Sequence, residues 1–162
     1  MTPQLSTRAD SSALVGLILQ LVTTTACAFS GVVVGVHDGD TLTVLVEQTP
    51  VKVRLAEIDA PELRQPFGTR SRQSLAALCF KTQASVRQIG RDQYGRAIGY
   101  VLCNGTDANA EQVRRGMAWV YDKYSRPDSP LYRLQEGASD AQLGLWADGH
   151  RVAPWVWRGN RH

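Results

Sequence analysis

Apolar residues occupy every second position at Val51, Val53 and Leu55, with Lys52 and Arg54 between them. Successive side chains on a strand point to opposite faces, so this stretch predicts a strand burying the three apolar residues and turning Lys52 and Arg54 away from the core. Two apolar runs precede it. Val32-Val33-Val34 is short and continuous, and residues 41–47 are β-branched with partial alternation. The three runs read as a meander, with Gln48-Thr49-Pro50 as the predicted turn between the second and third. Residues 82–89 and 97–103 predict a fourth and a fifth strand, joined by the polar loop 90–96.

A helical period takes over at residues 71–78, where Leu75 and Leu78 share a face that can pack on the sheet. Asn104-Gly105 is a turn signal, and residues 107–115 predict a short helix ended by Gly116. Ser129 can cap a last helix with Pro130 at its first position. That helix is predicted to reach Trp146, with Leu131, Leu134, Ala138, Ala141 and Leu145 as its buried stripe. Trp119, Trp146, Trp155 and Trp157 read as packing residues. The tail around Trp155-Val156-Trp157-Arg158 is too apolar for a free end, yet it offers no evident chemistry. Five short strands with about three helices predict an α+β, mainly β fold, an OB-like β-barrel capped by helices. Such barrels often bind oligonucleotides across one face.

Composition changes this picture little, except at the start of the chain. With 162 residues, one domain with its own core suffices. Eighteen Lys plus Arg against 15 Asp plus Glu give a net charge of +3, which allows an anionic partner without requiring one. Residues 1–28 differ from the rest: a polar segment with Arg8, an apolar core over residues 13–22, and small residues ending in Ala26-Cys27-Ala28. That order matches a secretory signal cleaved after Ala28, leaving residues 29–162 as the mature domain. The apolar core is shorter than the roughly 20 residues that span a bilayer, so no stable membrane span is expected after processing. Removal of Cys27 leaves Cys79 and Cys103 as an even pair, which in an exported protein predicts a disulfide. The predicted location is therefore periplasmic or secreted.

Candidate chemistry gathers at the ends of the meander. Asp38-Gly39-Asp40-Thr41 lies between the first two runs, and Asp59-Ala60-Pro61-Glu62 follows the third, with Arg54 between them. If both turns reach one region of the surface, carboxylates converging beside an arginine point to a hard cation and a phosphate. Three scattered histidines and the cysteines form no zinc pattern.

Together with Val53-Arg54-Leu55, Asp92, Tyr94-Gly95-Arg96, Asn109, Val113-Arg114, Gly116-Met117-Ala118 and Leu145-Trp146, these motifs make the chain resemble the staphylococcal nuclease (thermonuclease-like) family over roughly residues 31–147. The resemblance implies a calcium-dependent nuclease hydrolysing phosphodiester bonds of DNA and RNA and leaving 3′-phosphate ends. Asp40 and Asp59 match its carboxylate ligands for Ca2+, and the Ala60 carbonyl another ligand. Calcium accepts such a set of oxygens in irregular geometry. Glu62 matches the glutamate that orients or deprotonates the attacking water, and Arg54 and Arg96 match the two arginines that grip the phosphate. Tyr124 matches a base-stacking tyrosine, although its partner position two residues earlier is Asp122. Asp38 is assigned to holding the turn or to the surroundings of the metal, and Thr41 either reaches a metal-bound water through its hydroxyl or is simply a β-branched strand residue.

This chain departs from the family's best-known member in two ways. Alanine replaces threonine at position 60, which preserves a carbonyl ligand. The loop over residues 63–71 is shorter and lacks a lysine-rich insertion. A monomer is expected. The competing reading is a non-catalytic OB-like module that binds nucleic acid or a protein. Retention of the carboxylates together with both arginines argues against it.

Overall fold

The computed structural model describes residues 27–160. Most of the expected leader, residues 1–26, lies outside them. The first strand, β1 (Cys27–Val36), begins earlier than the apolar triplet predicts, because Cys27 and Ala28 pair with Gln88 and Arg87 of a later strand. The alternating stretch becomes β3 (Thr49–Leu55), which pairs antiparallel with β2 (Thr41–Val46). Their turn is Glu47-Gln48, not Gln48-Thr49-Pro50, since Val46 already pairs with Thr49 and Glu47 takes the left-handed φ of 55°. Pro50 sits inside β3 opposite Leu45, on a stretch with no second neighbour, where its missing N–H breaks no ladder.

Beyond β3 come β4 (Ile58–Asp59), helix α1 (Gly68–Cys79), β5 (Gln83–Arg91) and β6 (Ala97–Cys103). They are followed by β7 (Thr106–Asp107), α2 (Ala108–Arg114), β8 (Trp119–Val120), α3 (Leu131–Asp140), a 3-10 turn (Gly144–Ala147) and α4 (Pro154–Gly159). The main sheet runs β3-β2-β1-β5-β6-β7. It closes on itself where β3 pairs parallel with β6, Val53 with Ala97, Arg54 with Ile98 and Leu55 with Gly99. The result is the expected five-stranded OB-like barrel, with β7 as an extra strand. A register shift between Val33 and Gly35 lets β1 pair with β5 along its first part and β2 along its second, as a bent strand in a small barrel must.

The barrel interior holds Val33, Leu42, Val44, Val53, Leu55, Val86 and Val101, all without exposure. Leu75 of α1 and Val113 of α2 seal it. Helix α3, expected to be the last, stops at Asp140, six residues short of Trp146. Gln142 and Gly144 take φ of 49° and 56°, so the chain turns there, and Leu145 reaches the core from the 3-10 turn. Ala141 is exposed, while Leu131 and Ala138 keep the buried stripe expected of α3. The apolar tail forms a fourth helix, α4. Among the described residues, no helix is long and apolar enough to cross a membrane.

Buried polar groups fasten the closure. Asn109 on α2 is fully buried; its Oδ1 accepts from the Val101 amide at 3.0 Å and its Nδ2 donates to the Ala56 carbonyl at 2.9 Å. Removing a partner strands buried backbone groups, so Asn109→Ala should cost about 3 kcal/mol, read as a lower urea midpoint at unchanged slope. Cys79 at the end of α1 is bridged to Cys103 at the end of β6, with 24 residues of separation. Closing a loop of that size stabilises by about 3 kcal/mol through the unfolded state. Reduction, or Cys103→Ser, should therefore lower the urea midpoint correspondingly, and a midpoint indifferent to reductant would contradict a bridge in solution.

Candidate active site

The site is built where the barrel closes. The β1–β2 turn carries Asp38 and Asp40 around Gly39, and it packs so tightly that a Cβ at Gly39 would lie 1.7 Å from the Ser71 hydroxyl. Gln112 of α2 clamps the same turn, donating to the Gly39 carbonyl at 2.6 Å. Asp38 accepts from the Asp40 amide at 3.0 Å and so holds the turn. One Asp40 oxygen accepts from the Thr41 hydroxyl at 2.9 Å and the other from the Ala60 amide at 2.7 Å. This last bond joins the two acidic turns. β4 pairs with β8, Asp59 opposite Trp119, which fixes Asp59 with 1 % exposure against the first turn.

Arg54 lies across both turns. Its NH2 group donates to Asp59 at 2.8 Å and stands 3.7 Å from Asp40, while NH1 donates to the carbonyls of Leu55 and Ile58 at 3.0 and 2.9 Å. Arg96 comes from the β5–β6 loop, where Asp92 accepts from its backbone amide at 3.0 Å and from its Nε at 2.6 Å. Its NH1 reaches the Thr41 hydroxyl at 3.5 Å, so the two arginines approach from adjacent strands. Glu62 and Tyr124 line the same groove of about 850 Å³, as do Asp38, Asp40, Asp59 and Ala60. Tyr124 is 65 % exposed and meets Tyr121 edge to face, whereas Asp122 turns away to accept from the Tyr132 hydroxyl at 2.9 Å.

The sequence model of the family described as staphylococcal nuclease homologue matches residues 52–148. The chain belongs to the staphylococcal nuclease family. It is 44% identical over 138 residues to Protein ParB of Escherichia coli, covering 79% of this chain and 78% of that protein. It is 43% identical over 140 residues to a micrococcal nuclease of Shigella flexneri, covering 80% of each. An uncharacterized endonuclease of Haemophilus influenzae is 42% identical over 128 residues, 78% of this chain and 71% of that one.

Within this staphylococcal nuclease domain, the buried charges are balanced by geometry. Burial and the neighbouring Asp40 charge push the Asp38 carboxyl up to about 7. Burial also raises Asp59, against the pull of hydrogen bonds and charge from Arg158 and Arg54. Burial disfavours the charged form of Arg54, but the charges of Asp40 and Asp59 outweigh it and hold the guanidinium above its ordinary value. Among the described residues, no group of three or more His, Cys, Asp or Glu side chains could hold a metal. A cation here would rest on the carboxylates of Asp40 and Asp59, completed by backbone oxygen and water. That all-oxygen set fits a hard divalent ion and lacks the Cys and His ligands that zinc favours.

Sequence reasoning missed Arg158. Its NH2 donates to Asp59 at 2.7 Å and its NH1 to Glu62 at 2.8 Å. The apolar tail signalled that this segment must pack, but no local pattern says where a residue 99 positions from Asp59 will dock.

Asp92 provides a test of the loop that presents Arg96. Burial opposes ionisation, but hydrogen bonds from the Arg96 guanidinium and the Arg96 and Tyr94 amides hold its carboxyl below the usual value. A depressed carboxyl stabilises the fold above the unfolded-state pKa of about 3.9 and loses that contribution as pH falls through the lower folded value. Asp92→Asn should thus cost about 1 kcal/mol at neutral pH. The gap from the parent should close toward pH 3 in paired urea titrations.

Proposed function

We propose that this protein is a calcium-dependent nuclease that hydrolyses phosphodiester bonds of DNA and RNA to 3′-phosphate ends. The observation that carries the reading is the convergence of Asp40, Asp59, Glu62 and Arg54 on one groove, with Arg96 entering it from the β5–β6 loop. Its relatives include proteins named micrococcal nuclease and endonuclease, which supports the same reading. A barrel that only binds nucleic acid has no need to bury two carboxylates beside paired guanidiniums.

Asp40, Asp59 and the Ala60 carbonyl would hold the calcium ion, which when bound supplies positive charge to the scissile phosphate and acidifies water. Glu62 accepts a hydrogen bond from the attacking water and takes its proton as the new oxygen–phosphorus bond forms. Arg54 and Arg96 donate paired hydrogen bonds to the phosphate oxygens, whose charge grows as phosphorus becomes five-coordinate. The bond to the 5′ oxygen breaks; that oxygen leaves and takes a proton from solvent water, so the phosphate stays on the 3′ side. Tyr124 offers an exposed ring for a base to stack on.

Export to the periplasm or medium, with removal of residues 1–28, is part of the proposal. The Cys79–Cys103 bridge supports it, since such bridges persist in oxidising compartments. Cleavage after Ala28 would leave Phe29 to Val36 paired in β1. We take the mature protein to be a monomer.

Purified mature protein should degrade single-stranded DNA and a matched RNA when calcium is added and stop when it is chelated. Glu62→Gln and Arg96→Ala should each lower kcat by about 10²–10⁴-fold with the fold retained by circular dichroism. Absence of calcium-stimulated cleavage of either substrate would sink the reading.

A further inference from the structure

The fork made by Arg158 is a second means of organising the catalytic carboxylates. Its NH1 group donates to both Glu62, at 2.8 Å, and Asp59, at 3.3 Å, while NH2 donates to the other Asp59 oxygen at 2.7 Å. Burial works against this guanidinium's charge, but the bonds to Asp59 and Glu62 more than offset it and raise its pKa. Among the described residues, Arg158 is the one side chain hydrogen-bonded to the Glu62 carboxylate, which is otherwise 42 % exposed. The same C-terminal segment also secures the Glu62 backbone. Gln65 accepts from the Glu62 amide at 3.2 Å and donates to the Val152 carbonyl at 2.5 Å. Helix α4 itself is anchored by buried Pro154 and by Trp155, whose ring stacks on Tyr121 at 5.1 Å and 6°.

We propose that Arg158 is a positioning residue for phosphodiester hydrolysis, fixing the Glu62 carboxylate relative to Asp59 so that water held by Glu62 is aimed at phosphorus. This rests on the nuclease reading above. A merely structural role predicts something different: losing the exposed pair with Glu62 and the donor to buried Asp59 would lower stability without a selective loss of kcat that depends on Glu62. A carboxylate free to wander by 1 Å, in contrast, costs about 10²-fold in rate.

The test compares Arg158→Ala, Arg158→Lys, Glu62→Gln and the Arg158→Ala/Glu62→Gln double variant in full mature protein. Arg158→Ala should lower kcat by about 30–100-fold and change KM by less than about threefold, with the fold retained by circular dichroism at the assay temperature. Lysine, a point charge without the fork, should restore part of the rate. On the Glu62→Gln background, loss of Arg158 should cost less than about threefold, because the two residues act as a unit. Fully additive losses, or a kcat within about twofold of the parent, would overturn the proposal and leave the nuclease reading intact. A parent protein without calcium-dependent cleavage would instead overturn the nuclease reading. The positioning claim is also read without turnover, in protein carrying 13C-labelled glutamate. The Glu62 carboxylate resonance, assigned by its loss in Glu62→Gln, should shift in Arg158→Ala; an unmoved resonance overturns the positioning claim.

Discussion

The parallel pairing of β3 with β6 is the constraint from which the site follows. Three residue pairs, Val53 with Ala97, Arg54 with Ile98 and Leu55 with Gly99, close the barrel. The ladder continues into the Ala56 amide, which donates to the Gly99 carbonyl at 2.8 Å. Parallel strands need a long crossover, here everything from β4 to β5, so the contact is remote in sequence and depends on the whole sheet having curled correctly. Once made, it sets Arg54 beside Ile98 and hence two positions from Arg96. Neither arginine could be placed by its own hairpin alone. Asn109 enters at the same junction, satisfying backbone groups that a closing barrel would otherwise leave buried and unpaired.

The acidic side obeys a different logic. Asp40 and Asp59 are 6 % and 1 % exposed, and burying two carboxylates together is costly unless each oxygen finds a donor. The structure supplies donors from four sources: the Thr41 hydroxyl, the Ala60 amide, Arg54 and Arg158. Asp38 rises to about 7 because burial and the neighbouring Asp40 charge both work against its ionised form. A cluster kept at such expense, lining a groove, fits a site shaped for its chemistry better than one shaped for stability.

Much of the barrel is visible in the sequence because strand burial is local. The alternation at Val51, Val53 and Leu55, and that at Ala84 and Val86, follow from side chains facing inward every second residue. The two acidic turns and Arg54 could be related within 25 residues of sequence, for the same reason. The misreadings come from backbone choices that residue type only weakly signals. Glu47 adopts a left-handed conformation usually left to glycine or asparagine, which moves the turn one residue earlier. At the end of α3, Leu145 continues the helical spacing although the backbone has already broken at Gln142, so a buried stripe extends beyond the helix that begins it.

Arg158 was hidden for a deeper reason: its meaning lies entirely in what it touches. The tail's tryptophans announce burial, yet Trp155 finds its partner in Tyr121, and Arg158 finds its partners in Asp59 and Glu62, almost the whole domain away. These contacts make the loop after Glu62, the segment after β8 and α4 one wall of the groove, with Gln65 tying the first to the third. The opposite wall, carrying Arg96, belongs to the β5–β6 hairpin and is held by Asp92. Glu62 and Arg96 are therefore organised by separate supports, one built from the C-terminal segment and one from a strand pair. What links them is the barrel closure beneath. Between the walls, Arg96 reaches the Thr41 hydroxyl, which donates to Asp40, and Glu57 joins Arg126 and Ser129 of the one to Tyr100 of the other, so each wall carries its own residue while sharing these few links.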